Sequence, residues 1–233
     1  MKRTETNMKK VKEMALCLLH LPIPKGEFYP IVVSHPFFSS TIIPKEGFAF
    51  LNLEDEKDLA EATDMWKKII EKAKSYHEIC MYMNKPYRLT FLKFCENYLS
   101  EEDFTVSLAE NWVLSENPNQ DKNVSRKKFI SWFRKADKKL LMEEEDYEVY
   151  KNIPETITLY RGVCDSHARL GLSWTASYEK AKWFASRWNS KNGYILKVTV
   201  SSEDILCYLN TRNEDEYVLD VFKYKNKIEK LEN

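Results

Sequence analysis

Pro154 separates two kinds of sequence, and that division is the strongest constraint on the fold. Before it, apolar residues recur mainly at three- and four-residue steps. After it come short runs rich in β-branched and aromatic residues: TITLYRGV (156–163), GYILKVTV (193–200) and EYVLDVF (216–222). Such runs fit a pleated, half-buried surface. Between the first two, Ser177–Trp188 has helical spacing, with Ala181, Phe184, Ala185 and Trp188 on one face. The chain therefore reads as α+β, a mostly helical N-terminal part followed by a mixed C-terminal part.

In the N-terminal part the spacing predicts helices over 9–20, 56–82, 86–99 and 101–115. The longest places Leu59, Ala62, Trp66, Ile69, Ile70, Ala73, His77 and Cys80 on one apolar stripe. His77 reads there as a packed core histidine. Short β-like runs are expected at 29–33, 37–43 and 48–53. The polar stretch NPNQDKN (117–123) is the expected boundary, giving a helical region 1–120 and a C-terminal region 121–233. Ser125 is expected to cap a helix to about Leu141, whose many Lys and Arg side chains read first as a solvated face and second as a docking surface. A short acidic helix, 143–151, stops before Pro154.

Composition narrows the function classes. The 36 basic and 36 acidic residues cancel and are interleaved, which is not the broad basic footprint of a non-specific nucleic-acid binder. The five cysteines form no pair at metal-ligand spacing, and Cys164 beside His167 lacks a second ligand pair, so a reducing, cytoplasmic setting is expected. The apolar run Met14–Leu21 is too short for a membrane span and has no small-residue cleavage site after it. No membrane association is expected.

Four elements in the last eighty or so residues carry chemistry. Arg161–Gly162 ends a strand, with Arg161 in the same alternating set as Ile157 and Leu159. A cation among apolar neighbours is costly unless it meets an anion, and a glycine beside it admits a close backbone approach. In Ser173–Trp174–Thr175 the two hydroxyls share one side of a strand and the indole takes the other. Phe184 offers a face for a flat ring, and Arg187 a fork for a pyrophosphate. Glu214–Asp215–Glu216 opens a strand. On an extended backbone its two glutamates would share a side, with Cα atoms roughly 6.5 Å apart. Paired carboxylates suit an oxocarbenium-like transition state, one stabilising the sugar cation and the other taking the acceptor's proton. Each element alone has an ordinary structural reading as a salt-bridged strand, a polar strand, a helix stripe or an acidic turn.

Taken in order, Arg-Gly, Ser-Trp-Thr, Phe/Arg and Glu-x-Glu resemble the R-S-E class of mono-ADP-ribosyltransferases, the class of clostridial binary toxins, arginine-specific enzymes and several bacteriophage enzymes. The resemblance covers about residues 155–222. It implies two small antiparallel sheets around an NAD⁺ cleft, with NAD⁺ as co-substrate and no metal. Arg161 would bind a phosphate and help fix the nicotinamide ribose, and the Gly162 backbone would meet the carboxamide. Ser173 would position Glu216, with Thr175 beside it. Phe184 would pack on nicotinamide, and Arg187 would reach the pyrophosphate. Glu216 would be the catalytic carboxylate, and Glu214 would orient or deprotonate the acceptor.

Trp174 and Thr175 depart from the family's Ser-Thr-Ser, and Trp174 must face away from the cleft. The short spacing from Arg161 to Ser173 leaves a wall for the helical part to supply. The acceptor implied is a macromolecule, a protein arginine first and a nucleic-acid base second. An antitoxin or inhibitor is among the partners implied, as for a toxin, defence or phage effector. A NAD⁺ glycohydrolase and a non-catalytic binding module of the same fold stand as alternatives.

Overall fold

The computed structural model describes residues 3–45, 49–116, 118, 122–164, 169–187 and 192–231. The chain is a mixed α/β protein with antiparallel sheets, divided into two compact units, Met1–Ser107 and Leu108–Asn233. The division falls inside a helix rather than in the polar stretch 117–123, because that helix's last residues, Leu108–Leu114, belong with the second unit.

The first unit contains α1 (Met8–Leu19), a hairpin of β1 (Ile42–Lys45) and β2 (Ala49–Asn52), α2 (Glu56–Lys72), α3 (Tyr76–Tyr82), α4 (Arg88–Cys95) and the start of α5 (Glu101–Leu114). Asp55 caps α2 by accepting from the backbone N–H groups of Lys57 and Asp58. The helix expected over 56–82 is broken: Ala73 is extended, and Ser75 starts α3 afresh by accepting from the Glu78 N–H. The break shifts the helical phase. Tyr76, Ile79 and Cys80 turn inward, and His77, expected in the core, is exposed. Residues 29–33 are turns rather than a strand. In 37–43 only the last two residues pair, because the His35 ring nitrogen accepts from the N–H groups of both Phe37 and Phe38 and bends the chain.

The second unit holds the end of α5, then α6 (Arg126–Lys135), α7 (Lys138–Leu141), α8 (Glu144–Lys151), β3 (Thr156–Val163), β4 (Ser173–Thr175), α9 (Tyr178–Ser186), β5 (Tyr194–Ser201), β6 (Ile205–Leu209), β7 (Glu216–Leu219) and β8 (Glu229–Leu231). Ser125 caps α6 as expected. The helix then stops at Ala136, and Asp137 caps α7, so Leu141 rather than Leu140 is buried. The basic residues are partly consumed by the fold. Arg134 pairs with Asp220 at 2.7 Å, and the Lys138 ammonium donates to the carbonyls of Phe133 and Leu206 at 2.5 and 2.7 Å.

The strands form a single six-stranded antiparallel sheet in the order β6-β7-β4-β3-β5-β8. β3 and β5 are in register along their whole length, from Thr156↔Ser201 to Val163↔Tyr194. β3 and β4 share one registered pair among the described residues, Tyr160↔Thr175. Helix α9 lies close on β3 and β5 because two glycines admit it. A Cβ on Gly162 would sit 2.0 Å from the Ala181 carbonyl oxygen, and one on Gly193 would sit 1.9 Å from that of Ala185. Trp188, expected on the α9 stripe, and His167 lie outside the described residues. Among the described residues no helix is long and apolar enough to cross a membrane, and no group of His, Cys, Asp and Glu is placed to hold a metal ion.

Candidate functional site

A cleft opens at the seam where β3 and β4 separate. Arg161, Gly162, Ser173, Thr175, Phe184, Arg187, Glu214 and Glu216 all line it. These eight come from β3, β4, α9 and the turn into β7, so side chains spread over more than fifty positions meet at one place. The space within it, including the part open to solvent, is about 1150 Å³.

Each side chain has a local reason for its position. The sheet register sets Tyr160, Thr175, Glu216 and Leu209 in one row across four strands. Ser173 shares a face with Thr175 by alternation, which brings its hydroxyl diagonally to Glu216, and the two side chains hydrogen-bond. Trp174 takes the opposite face, is buried, and donates its indole N–H to the Gly171 carbonyl at 2.9 Å. Trp174 nonetheless also borders the cleft.

Arg161 lies over Gly171, and its guanidinium donates to the Ser173 carbonyl at 2.5 Å. A Cβ on Gly171 would sit 2.2 Å from Arg161 Nη2, so a glycine is what lets the guanidinium lie there. Burial pulls the Arg161 pKa down to about 10, opposed by the charge of Glu216. The group remains a cation at neutral pH. Gly162 borders the cleft, and its missing side chain also makes room for α9.

The Glu-x-Glu segment also departs from expectation. Strand β7 begins at Glu216, and Asp215 sits in the left-handed region at φ 47, as does Asn213 at φ 56. The backbone through the triplet is therefore a turn, and strand alternation does not explain how its glutamates meet. Asp215 anchors this turn. Its carboxylate receives Lys180 Nζ at 2.5 Å and the Tyr208 hydroxyl at 2.7 Å, while its N–H donates to Asn210 Oδ1. Desolvation works to raise the Asp215 pKa, but those hydrogen bonds outweigh it and hold the carboxyl below its ordinary value. With Asp215 turned away, Glu214 and Glu216 both face the cleft.

Glu216 has an environment suited to chemistry. Desolvation raises its pKa above the ordinary glutamate value, hydrogen bonds from Ser173 and Trp112 oppose the rise, Glu214 adds to it, and Arg161 opposes it. Thr175 lines the cleft but is buried, and its Oγ1 accepts from the Ser177 N–H, so it also shapes the turn into α9. Phe184 meets Trp183 edge-on at 4.9 Å, and the Arg187 guanidinium stacks over the Trp183 ring at 5.4 Å.

Residues that the motifs do not contain complete the cleft. Trp112, Val113, Ser115, Glu116 and Pro118, at and beyond the end of α5, form a wall, and Thr211 and Arg212 border the opposite turn. Trp112 Nε1 donates to Glu216 Oε1 at 2.9 Å. No spacing rule links a helix tryptophan to a strand glutamate 104 positions later, so sequence periodicity could only mark Trp112 as apolar.

The chain matches no protein-family model, no curated protein and no solved structure. A carboxylate next to a partly buried cation, with a hydroxyl and an indole N–H fixing it and a second carboxylate lining the same cleft, can stabilise a developing positive charge and accept a proton.

Proposed function

We propose that this cleft cleaves the nicotinamide–ribose bond of NAD⁺ and transfers ADP-ribose to a macromolecular acceptor, with a protein arginine as the first candidate. The observation that carries the reading is the meeting of Arg161, Ser173 and Glu216 in one cleft, with the Ser173 hydroxyl on the Glu216 carboxylate. The residues present fit the dinucleotide's chemistry. Arg161 and Arg187 are forked cations suited to its phosphates, and Phe184 offers an aromatic surface for its flat nicotinamide.

In this reading Arg161 and Arg187 fix the pyrophosphate. Glu216 accepts from the ribose 2′-hydroxyl and faces the anomeric carbon as positive charge develops there. The glycosidic C–N bond breaks with its electron pair leaving on nicotinamide. The acceptor's nucleophilic atom then bonds to that carbon, and its proton passes to Glu214. Positioning and preorganised charge supply most of the acceleration.

The test is incubation with NAD⁺ labelled in the adenylate part, together with a cell lysate, comparing the natural chain with Glu216→Gln. Nicotinamide release and protease-sensitive label should appear with the natural chain, and both should fall by at least about a thousandfold in the variant. Nuclease-sensitive label would move the acceptor to a nucleic-acid base, and free ADP-ribose alone would make water the acceptor. Nicotinamide release that is absent, or unchanged in Glu216→Gln, would overturn the reading and leave a binding module.

A further inference from the structure

Trp112 is the cleft residue whose placement the proposed reaction leaves unexplained. It is buried, at 1% exposure, near the end of α5. Its ring packs edge-on against Phe129 at 5.2 Å and against Phe133 at 4.9 Å, both from α6. Its indole N–H points at Glu216 Oε1, 2.9 Å away. A tryptophan packed only for its apolar surface has no need to aim its one polar atom at a carboxylate. This one does, from inside an aromatic box that leaves the ring little freedom to turn.

We propose that Trp112 is a positioning residue for Glu216: its caged indole N–H fixes one carboxylate oxygen and leaves the other side of the group free to face the substrate. The inference rests on the NAD⁺-cleaving reading above and extends it to a residue outside the motif. An indole nitrogen donates and never accepts, whereas the Ser173 hydroxyl can do either. The Trp112 bond is therefore strongest to the ionised carboxylate, the form that must stabilise a cation. A carboxylate has acceptor sites for about four hydrogen bonds, so Trp112 and Ser173 together leave capacity for a ribose hydroxyl.

The other charged and titratable groups near Glu216 do not duplicate this task. Arg161 on β3 favours ionisation, Glu214 at the turn opposes it, and Cys207 lies behind on β6. Glu116, Arg187 and Arg212 line the same cleft. Burial holds the Glu216 pKa above its ordinary value even with the indole in place. Removing that donor moves it higher still. The active, deprotonated form is lost as pH falls through the raised pKa, so the acid limb of the rate profile shifts upward when the N–H is removed.

The experiment replaces Trp112 with benzothienylalanine, which keeps the ring shape and puts sulfur in place of N–H, and compares it with Trp112→Phe. Trp132→Phe, which removes another buried ring of the same aromatic cluster, serves as the packing control. In both position-112 variants kcat for nicotinamide release should fall about 10- to 100-fold, as for loss of a hydrogen bond to a charged group. KM for NAD⁺ should stay within about twofold, and the acid limb should move up by about one pH unit. The Glu216 carboxyl ¹³C resonance, identified by its absence in Glu216→Gln, should titrate with the same shift in the NAD⁺-free protein. Trp132→Phe should lower thermal stability without moving the limb or the resonance. A wild-type kcat and limb with benzothienylalanine would overturn the proposal, as would an equal limb shift in Trp132→Phe. Failure of Glu216→Gln to lose activity would instead overturn the NAD⁺ reading, so the two failures are distinguishable.

Discussion

The six-stranded sheet has a closed half and an open half. In the closed half, β3 and β5 pair along eight registered positions, and α9 lies against them at backbone distance over Gly162 and Gly193. In the open half, β4, β7 and β6 form their own ladder and, among the described residues, reach β3 through one registered pair. Where the ladder stops, backbone groups need other partners. Leu172 spends its carbonyl on the Leu219 N–H, so the Ser173 carbonyl points away from β7 and toward β3, where the Arg161 guanidinium meets it. The seam thus does two things with one side chain. It gives the Ser173 carbonyl a donor, and it holds a cation where an anionic ligand can reach it. A continuous sheet would leave no cleft, and two separate sheets would leave Arg161 without this tether.

The sharpest way to break the closed half is Gly162→Val. The new Cβ would lie 2.0 Å from Ala181 O and 2.5 Å from Ala185 N, both backbone atoms of a helix that cannot yield by rotating a side chain. Helix α9 must lift from β3, taking Phe184 and Arg187 with it. A destabilisation of about 3 kcal/mol is expected, read as a lower urea midpoint for the second unit. An unchanged midpoint would mean that α9 is not held down at this glycine.

The open half is probed by Gly171→Ala, with a smaller effect of a different kind. Here the crowded atoms are Nη2, Cζ and Nε of Arg161, the far end of a flexible side chain. The fold can yield by displacing the guanidinium, so stability should change by less than about 1 kcal/mol. The displaced cation should raise KM for NAD⁺ about tenfold, equivalent to losing about 1.4 kcal/mol of binding. Tight binding retained in Gly171→Ala would remove Arg161 from the ligand's neighbourhood.

The same contrast explains what could be read from the sequence. The closed half was legible because its signals are local: β-branched alternation through TITLYRGV, the matching run GYILKVTV, and the helical spacing that begins at Ser177. The residues that meet in the cleft were legible as types in order along the chain. What was not legible depends on distant partners. β6 is buried along its whole length and so shows no alternation, and β8 is a three-residue edge strand. Gly171 matters only because Arg161 folds over it, and Trp112 only because α5 ends beside Glu216. Asp215 defeated the extended reading of Glu-x-Glu because Lys180 and Tyr208 draw it into a left-handed turn. In the first unit, Ser75 broke a helix whose apolar periodicity ran straight through it, which is how His77 came to be exposed.

The smallest expected effect tests the exposed edge of the closed half. Thr158 and Thr199 are directly opposed in the β3–β5 register, and their hydroxyls hydrogen-bond at 2.9 Å on the solvent side. Water competes for both groups, and the backbone ladder holds the strands together without them. Thr158→Val keeps the β-branched shape and removes one hydroxyl, so a loss of only about 0.2–1 kcal/mol is expected. Activity should be unchanged, because the pair lies two positions or more from Tyr160 and its seam. A loss of NAD⁺ cleavage in Thr158→Val without a fall in the urea midpoint would show that the eight-pair ladder transmits strain to the cleft. The rigid half would then be a part of the active-site mechanism and not only its support.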